Sequence, residues 1–72
     1  MERYANRRGN SPITHFQIEV ERIIIWFNTG KSYSYSYRLA GAFHVEQMKI
    51  LARSGSGLSA YITHNVRNLY DR

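Results

Sequence analysis

His15, Glu19 and Glu21 are the first residues of this chain whose types suit acid–base chemistry. A carboxylate beside an imidazole can pass a proton, and alternate positions of a β-strand put all three on one face. No nucleophile with a dedicated base accompanies them, and a wet strand face commonly carries such groups, so the expectation is a protein that is not an enzyme. The three histidines, at positions 15, 44 and 64, show no H-x-x-x-H or other metal-ligand spacing, and the chain has no cysteine. A thiolate metal site and a disulfide framework are thereby excluded. No metal and no cofactor is expected, and His44 and His64 are expected on separate helices, facing solvent.

A second set of residues suits anion and base recognition. Tyr33, Tyr35 and Tyr37 alternate with serines and are flanked by Lys31 and Arg38. Bases stack on aromatic side chains, and Arg and Lys neutralise phosphates. The formal net charge of +5 and a pI near 10.0 point to an anionic partner, with nucleic acid first and a membrane surface second. The plain alternative is excess charge that keeps a small protein soluble. The candidate nucleic-acid contacts are Arg7, Arg8, Lys31, Tyr37, Arg38, Arg53 and Arg67. RNA or another single strand is the partner they fit.

The tyrosines are placed by a hairpin from Ile23 to Tyr37. Five apolar residues, Ile23-Ile24-Ile25-Trp26-Phe27, run into Asn28-Thr29-Gly30-Lys31 and then into the Ser/Tyr alternation. Period-two alternation is the strand signature, and Gly30 suits the positive φ of a three-residue loop. In that register Tyr33 lies opposite Ile25 and Tyr35 opposite Ile23, which makes both tyrosines core. A four-residue loop instead groups them with Ile24 and Trp26. The favoured register leaves Ile24 and Trp26 among serines, an apolar island that a terminal segment or a partner must cover. Together with Phe43 and Ile50, off the core stripe of the following helix, it defines the competing reading. That reading is a protein-interaction or self-association module, a homodimer included.

The other elements follow in order. Residues 1–11 carry Arg3, Arg7 and Arg8 without periodicity and read as a basic, flexible N-terminal tail. Pro12 opens a single domain over residues 12–72. Ile13 to Val20 alternates, with Phe16, Ile18 and Val20 on one face and His15, Gln17 and Glu19 on the other. Glu21-Arg22 must then turn the chain. A helix is expected over Ala42–Arg53, with Val45, Met48, Leu51 and Ala52 inward and Glu46, Lys49 and Arg53 outward. Ser54-Gly55-Ser56-Gly57 ends it as a joint; no strand precedes these residues and their spacing is not that of a phosphate loop. Leu58, Ile62, Val66 and Leu69 give a second helix, Leu58 to Tyr70, a core stripe, with Ser56 or Ser59 as N-cap. The expected fold is α+β, a three-stranded antiparallel meander with two helices packed on one face. Seventy-two residues bury only about 60% of their unfolded surface, so the core is small. No apolar run approaches the ~20 residues that span a bilayer. The first residues lack the apolar stretch of a secretory signal, and a cysteine-free chain suits the cytoplasm.

Taken together, these features resemble the KTSC domain. Its likeness rests on the apolar strand Ile23, Ile25, Phe27 ending at Gly30, on the Y-x-Y pair Tyr33 and Tyr35, and on a helix with Val45. A Ser/Gly joint and a last helix with Ile62 and Arg67 complete it. The likeness spans roughly Ile13 to Tyr70, although no proline follows the Y-x-Y strand here. That family is a short bacterial domain found alone and at the C-terminus of some lysyl-tRNA synthetases. The resemblance implies RNA binding, which is proposed for the family because of that association.

Overall fold

Alternation along the chain becomes a sheet with one apolar face. In a computed structural model, which describes residues 1–71, four strands, β1 (Glu2–Arg3), β2 (Ile13–Glu19), β3 (Arg22–Phe27) and β4 (Ser32–Ser36), form an antiparallel sheet in sequence order. Arg72, the last residue of the expected domain, lies outside the described residues. The β3–β4 register is the favoured one, with Ile23 paired to Tyr35, Ile25 to Tyr33 and Trp26 to Ser32. Gly30 closes the loop at φ +90, its N–H donating to the Phe27 carbonyl at 3.0 Å. Ile23, Ile25 and Tyr35 are buried accordingly, and burial pushes the Tyr35 phenol up to about 12.

The β2–β3 connection differs from expectation. Its turn is Val20-Glu21, one residue early, and Val20 is 85% exposed instead of lying in the core. The remaining alternation is offset by a bulge between Ile13 and His15. Ile13 and Phe16 are three apart, an odd spacing that strict alternation would send to opposite faces. The extra residue of the bulge lets both point inward, and both are buried.

Both helices cover the inner face. α1 (Ala42–Ser54) buries Val45, Met48, Lys49 and Ala52 and ends at Gly55, φ 78. Lys49 corrects the expectation of an outward residue. Its stem lies in the core and its Nζ reaches the Val20 carbonyl (2.9 Å) and Glu46 (2.7 Å), with the Tyr37 ring 5.7 Å away. A long side chain can bury its methylenes and keep its ammonium bonded at the edge. The second helix is shorter than its stripe suggests. α2 (Leu58–Tyr61) passes into a π-helical segment, Ile62–Val66, and Leu69 is 41% exposed. Thr63, His64, Asn65 and Val66 are weak helix formers. The Asn65 side-chain amide donates to the Tyr61 carbonyl at 3.1 Å, competing with the backbone for that acceptor.

Residues 1–11 are no tail apart from the fold, and the sheet therefore has four strands instead of three. Glu2 and Arg3 pair with Phe16 and His15, and Tyr4 is 3% exposed inside the core. The Tyr4 hydroxyl accepts the Leu58 N–H at 3.3 Å, which supplies the start of α2 that neither Ser56 nor Ser59 caps. The other edge is also met. The Asp71 N–H donates to the Ser34 carbonyl (2.7 Å), and the Ser34 and Ser36 hydroxyls donate to its carboxylate at 3.0 and 2.6 Å. No helix among the described residues is long and apolar enough to cross a membrane.

Candidate nucleic-acid interface

The face of the sheet away from the helices is built in cross-strand rows. Residues opposite one another on antiparallel strands share a face and sit close enough to touch. The first row runs Arg3–His15–Trp26–Ser32 across all four strands, the second Gln17–Ile24–Ser34, and the third Glu19–Arg22–Ser36. The first row thus joins a guanidinium, an imidazole and an indole. Trp26 and Ile24 are each partly exposed, with the helices on the opposite face. A cleft of about 370 Å³ beside this row is lined by Arg3, Asn6, Thr14 and His15, among others. In the third row Arg22 bonds Glu19, and that hydrogen bond, with a second from Gln17, holds the Glu19 carboxyl below its usual range. Positive charge in the third row is therefore met within the row, whereas the first row holds Arg3 and no acidic residue.

These rows also separate the acid–base candidates. His15 and Glu19 are four residues apart on β2, about 13 Å at the rise of a strand, and Glu19 is engaged by Arg22 and Gln17. His44 does not simply face solvent, since its Nδ1 lies 2.6 Å from the Tyr61 hydroxyl; His64 is exposed. No cluster of three potential metal ligands occurs among the described residues.

The cationic set expected from sequence is dispersed. Arg7 is tied to the end of α1, its N–H donating to the Gly55 carbonyl and its Nε to the Ser54 carbonyl, both at 2.8 Å. Arg8 is exposed and lines a separate pocket against Ser56 and Gly57. Lys31 is exposed, one residue before Ser32 of the first row, and so belongs to its end of the sheet. Tyr37 and Arg38 follow β4 at the far end. Tyr37 is held by Glu46, its hydroxyl donating at 2.6 Å, and that bond is the main reason its phenol titrates above its ordinary range. Arg53 lies in the last turn of α1, and Arg67 follows the π-helical segment beside Tyr33 and Tyr70. The tyrosines of β4 form no open platform, since Tyr35 is buried and Tyr33 packs between Phe27 and Tyr70.

The competing apolar set is also split. Phe43 and Ile50 are 71% and 58% exposed on α1, while Ile24 and Trp26 lie on the opposite side of the molecule. Sequence reasoning missed Arg3 and His15 as companions of Trp26. The signal for His15 was its place on the wet face of β2; a two-residue strand such as β1 is too short for any periodicity. Comparison of the chain with family models, curated proteins and solved structures returned no match.

Proposed function

We propose that this chain is a non-enzymatic binding module for single-stranded nucleic acid, RNA foremost, and that the open sheet face is its binding surface. The observation that carries this is the row Arg3–His15–Trp26, where a cation and two flat rings stand side by side across the sheet. One base stacks on the Trp26 indole and its neighbour on the His15 imidazole, while Arg3 and Lys31 meet the flanking phosphates. The net charge of +5 and the likeness to the KTSC domain favour the same reading. A cysteine-free chain fits the reducing cytoplasm as the place where it works.

The test is an amide NMR titration of the labelled protein with short single-stranded RNA and DNA, at low and near-physiological salt. The expected result is saturable shifts at His15, Trp26 and Lys31 that persist at the higher salt. Trp26→Ala should weaken binding by about 5- to 150-fold, the value of one stacked base at about 1–3 kcal/mol. Shifts that vanish with salt, or an affinity unchanged by Trp26→Ala, would sink the proposal. A protein partner is the second reading, favoured by the exposure of Phe43 and Ile50. It predicts association that salt leaves unchanged or strengthens, because apolar burial drives it.

A further inference from the structure

The N-terminal segment, read from sequence as a flexible basic tail, and the Ser54–Gly57 joint together line a pocket of about 290 Å³. Residues 5–7 are stapled to the joint by the two Arg7 bonds. The approach is so close that a Cβ on Gly55 would stand 2.5 Å from the Ala5 Cβ. The loop then closes on itself. The Asn6 side chain accepts the Ser11 N–H at 3.1 Å and donates to the Ser11 carbonyl at 3.2 Å, and the Gly9 N–H donates to the Asn6 carbonyl at 2.9 Å. Arg8 and Asn10 therefore sit within this closed loop, and they line the pocket together with Ser56 and Ser59.

We infer that this pocket is a phosphate-binding site, with Arg8 as its cation and Asn10, Ser56 and Ser59 as its neutral donors. Among the described residues its lining includes an arginine, asparagines and serines, and no Asp or Glu. The charge pattern of the chain extends this. No Asp or Glu occurs from Arg3 to Ile18 or from Gln47 to Tyr70, the two stretches that form the walls. Arg7 and Arg53 add positive potential close by, at the end of α1. A guanidinium fork beside hydroxyl donors, with no competing anion, selects a tetrahedral oxyanion over a cation or an apolar group. The phosphate belongs either to a nucleic-acid strand that continues from the sheet face, past Tyr4 and Asn6, or to a free phosphate or mononucleotide. Tyr4 and Asn6 line both this pocket and the cleft beside Arg3. The site does not require the sheet-face reading to be correct.

Inorganic phosphate is the first probe, titrated into the labelled full chain against chloride at matched ionic strength. Saturable shifts of the Asn10, Gly57 and Ser59 amides and of the Arg8 Nε–H are expected. Arg8→Gln should weaken them at least tenfold, and Trp26→Ala should leave them unchanged. A response equal to that of chloride, or one indifferent to Arg8→Gln, overturns the assignment. Ser59→Ala, which keeps the cation, should give an intermediate loss and guards against a change of fold in the first variant. Oligonucleotides with and without a terminal phosphate then separate the sources. If excess phosphate competes with the strand and Arg8→Gln weakens strand binding, the site reads nucleic acid. If phosphate saturates the pocket while strand binding is untouched, the ligand is free. Loss of the Arg8 response with the Trp26 response intact refutes this site alone, and the converse refutes only the sheet face.

Discussion

Replacing Tyr4 with alanine removes an aromatic ring from the core and a hydroxyl from the start of α2 in one step. The ring is 3% exposed and belongs to the buried cluster with Ile13, Leu58 and Val66. Its removal should cost about 3–5 kcal/mol, as for other large aromatic truncations. Area gives a similar figure, since a buried aromatic covers about 150–250 Å² at about 25 cal/mol per Å². A domain of this length is expected to be stable by only about 4–11 kcal/mol in all, so the variant should stand near the edge of unfolding. Tyr4→Phe isolates the hydroxyl. It keeps the ring but leaves the buried Leu58 N–H without its acceptor, a loss of about 1–3 kcal/mol. Urea unfolding followed by Trp26 fluorescence and far-ultraviolet circular dichroism measures both, with an unchanged m value showing that the same surface is exposed. If Tyr4→Ala costs less than about 1 kcal/mol, the N-terminal segment is a detachable arm and the four-stranded description fails.

Lys49→Ala should destabilise by about 2–3 kcal/mol, because it removes a charged hydrogen bond and a packed stem together; Glu46→Gln, at the solvent-exposed partner, should move the unfolding midpoint far less in the same assay. Gly55→Ala should be worse than Gly30→Ala. Both hold positive φ, which costs an alanine about 1–2 kcal/mol, but only Gly55 has another Cβ position in the way, 2.5 Å from Ala5, whereas nothing lies within 4 Å at Gly30. Alkaline titration tests the buried phenol. Tyr35 keeps its proton up to about 12 in the folded protein, against about 10 unfolded. The folded state thus holds the proton that the unfolded state loses, and stability falls as pH rises across that window. Tyr35→Phe should flatten that part of the curve; an unchanged curve would show that Tyr35 is not the group responsible.

What the sequence made legible was whatever a regular period encodes. Ser32 to Tyr37 alternates over enough residues to set the β3–β4 register once Gly30 supplies the loop, and α1 repeats its apolar positions over three turns. The failures came where one local feature broke or replaced a period. The bulge at Thr14–His15 changes which residues face inward without any glycine or proline to announce it. Val20 keeps the parity of a core residue but falls in the turn. Lys49 is charged and on the wrong side of the helical wheel, yet its stem reaches the core because Val20 and Glu46 offer its ammonium partners at the edge. Tyr4 was hidden for a different reason. A two-residue strand has no period, and its burial depends on contacts with Thr14 and Leu58, 10 and 54 positions away. The candidate site shares that property. Trp26 was found because β3 is long, while Arg3 enters only through β1, so the cation and the ring it accompanies become neighbours by long-range pairing alone. Composition records that the chain is basic, but it does not distinguish Arg7, engaged by α1, from Arg3 and Arg8, which remain exposed beside clefts. That distinction is made by hydrogen bonds between distant segments, and it determines which cations are free to meet a phosphate.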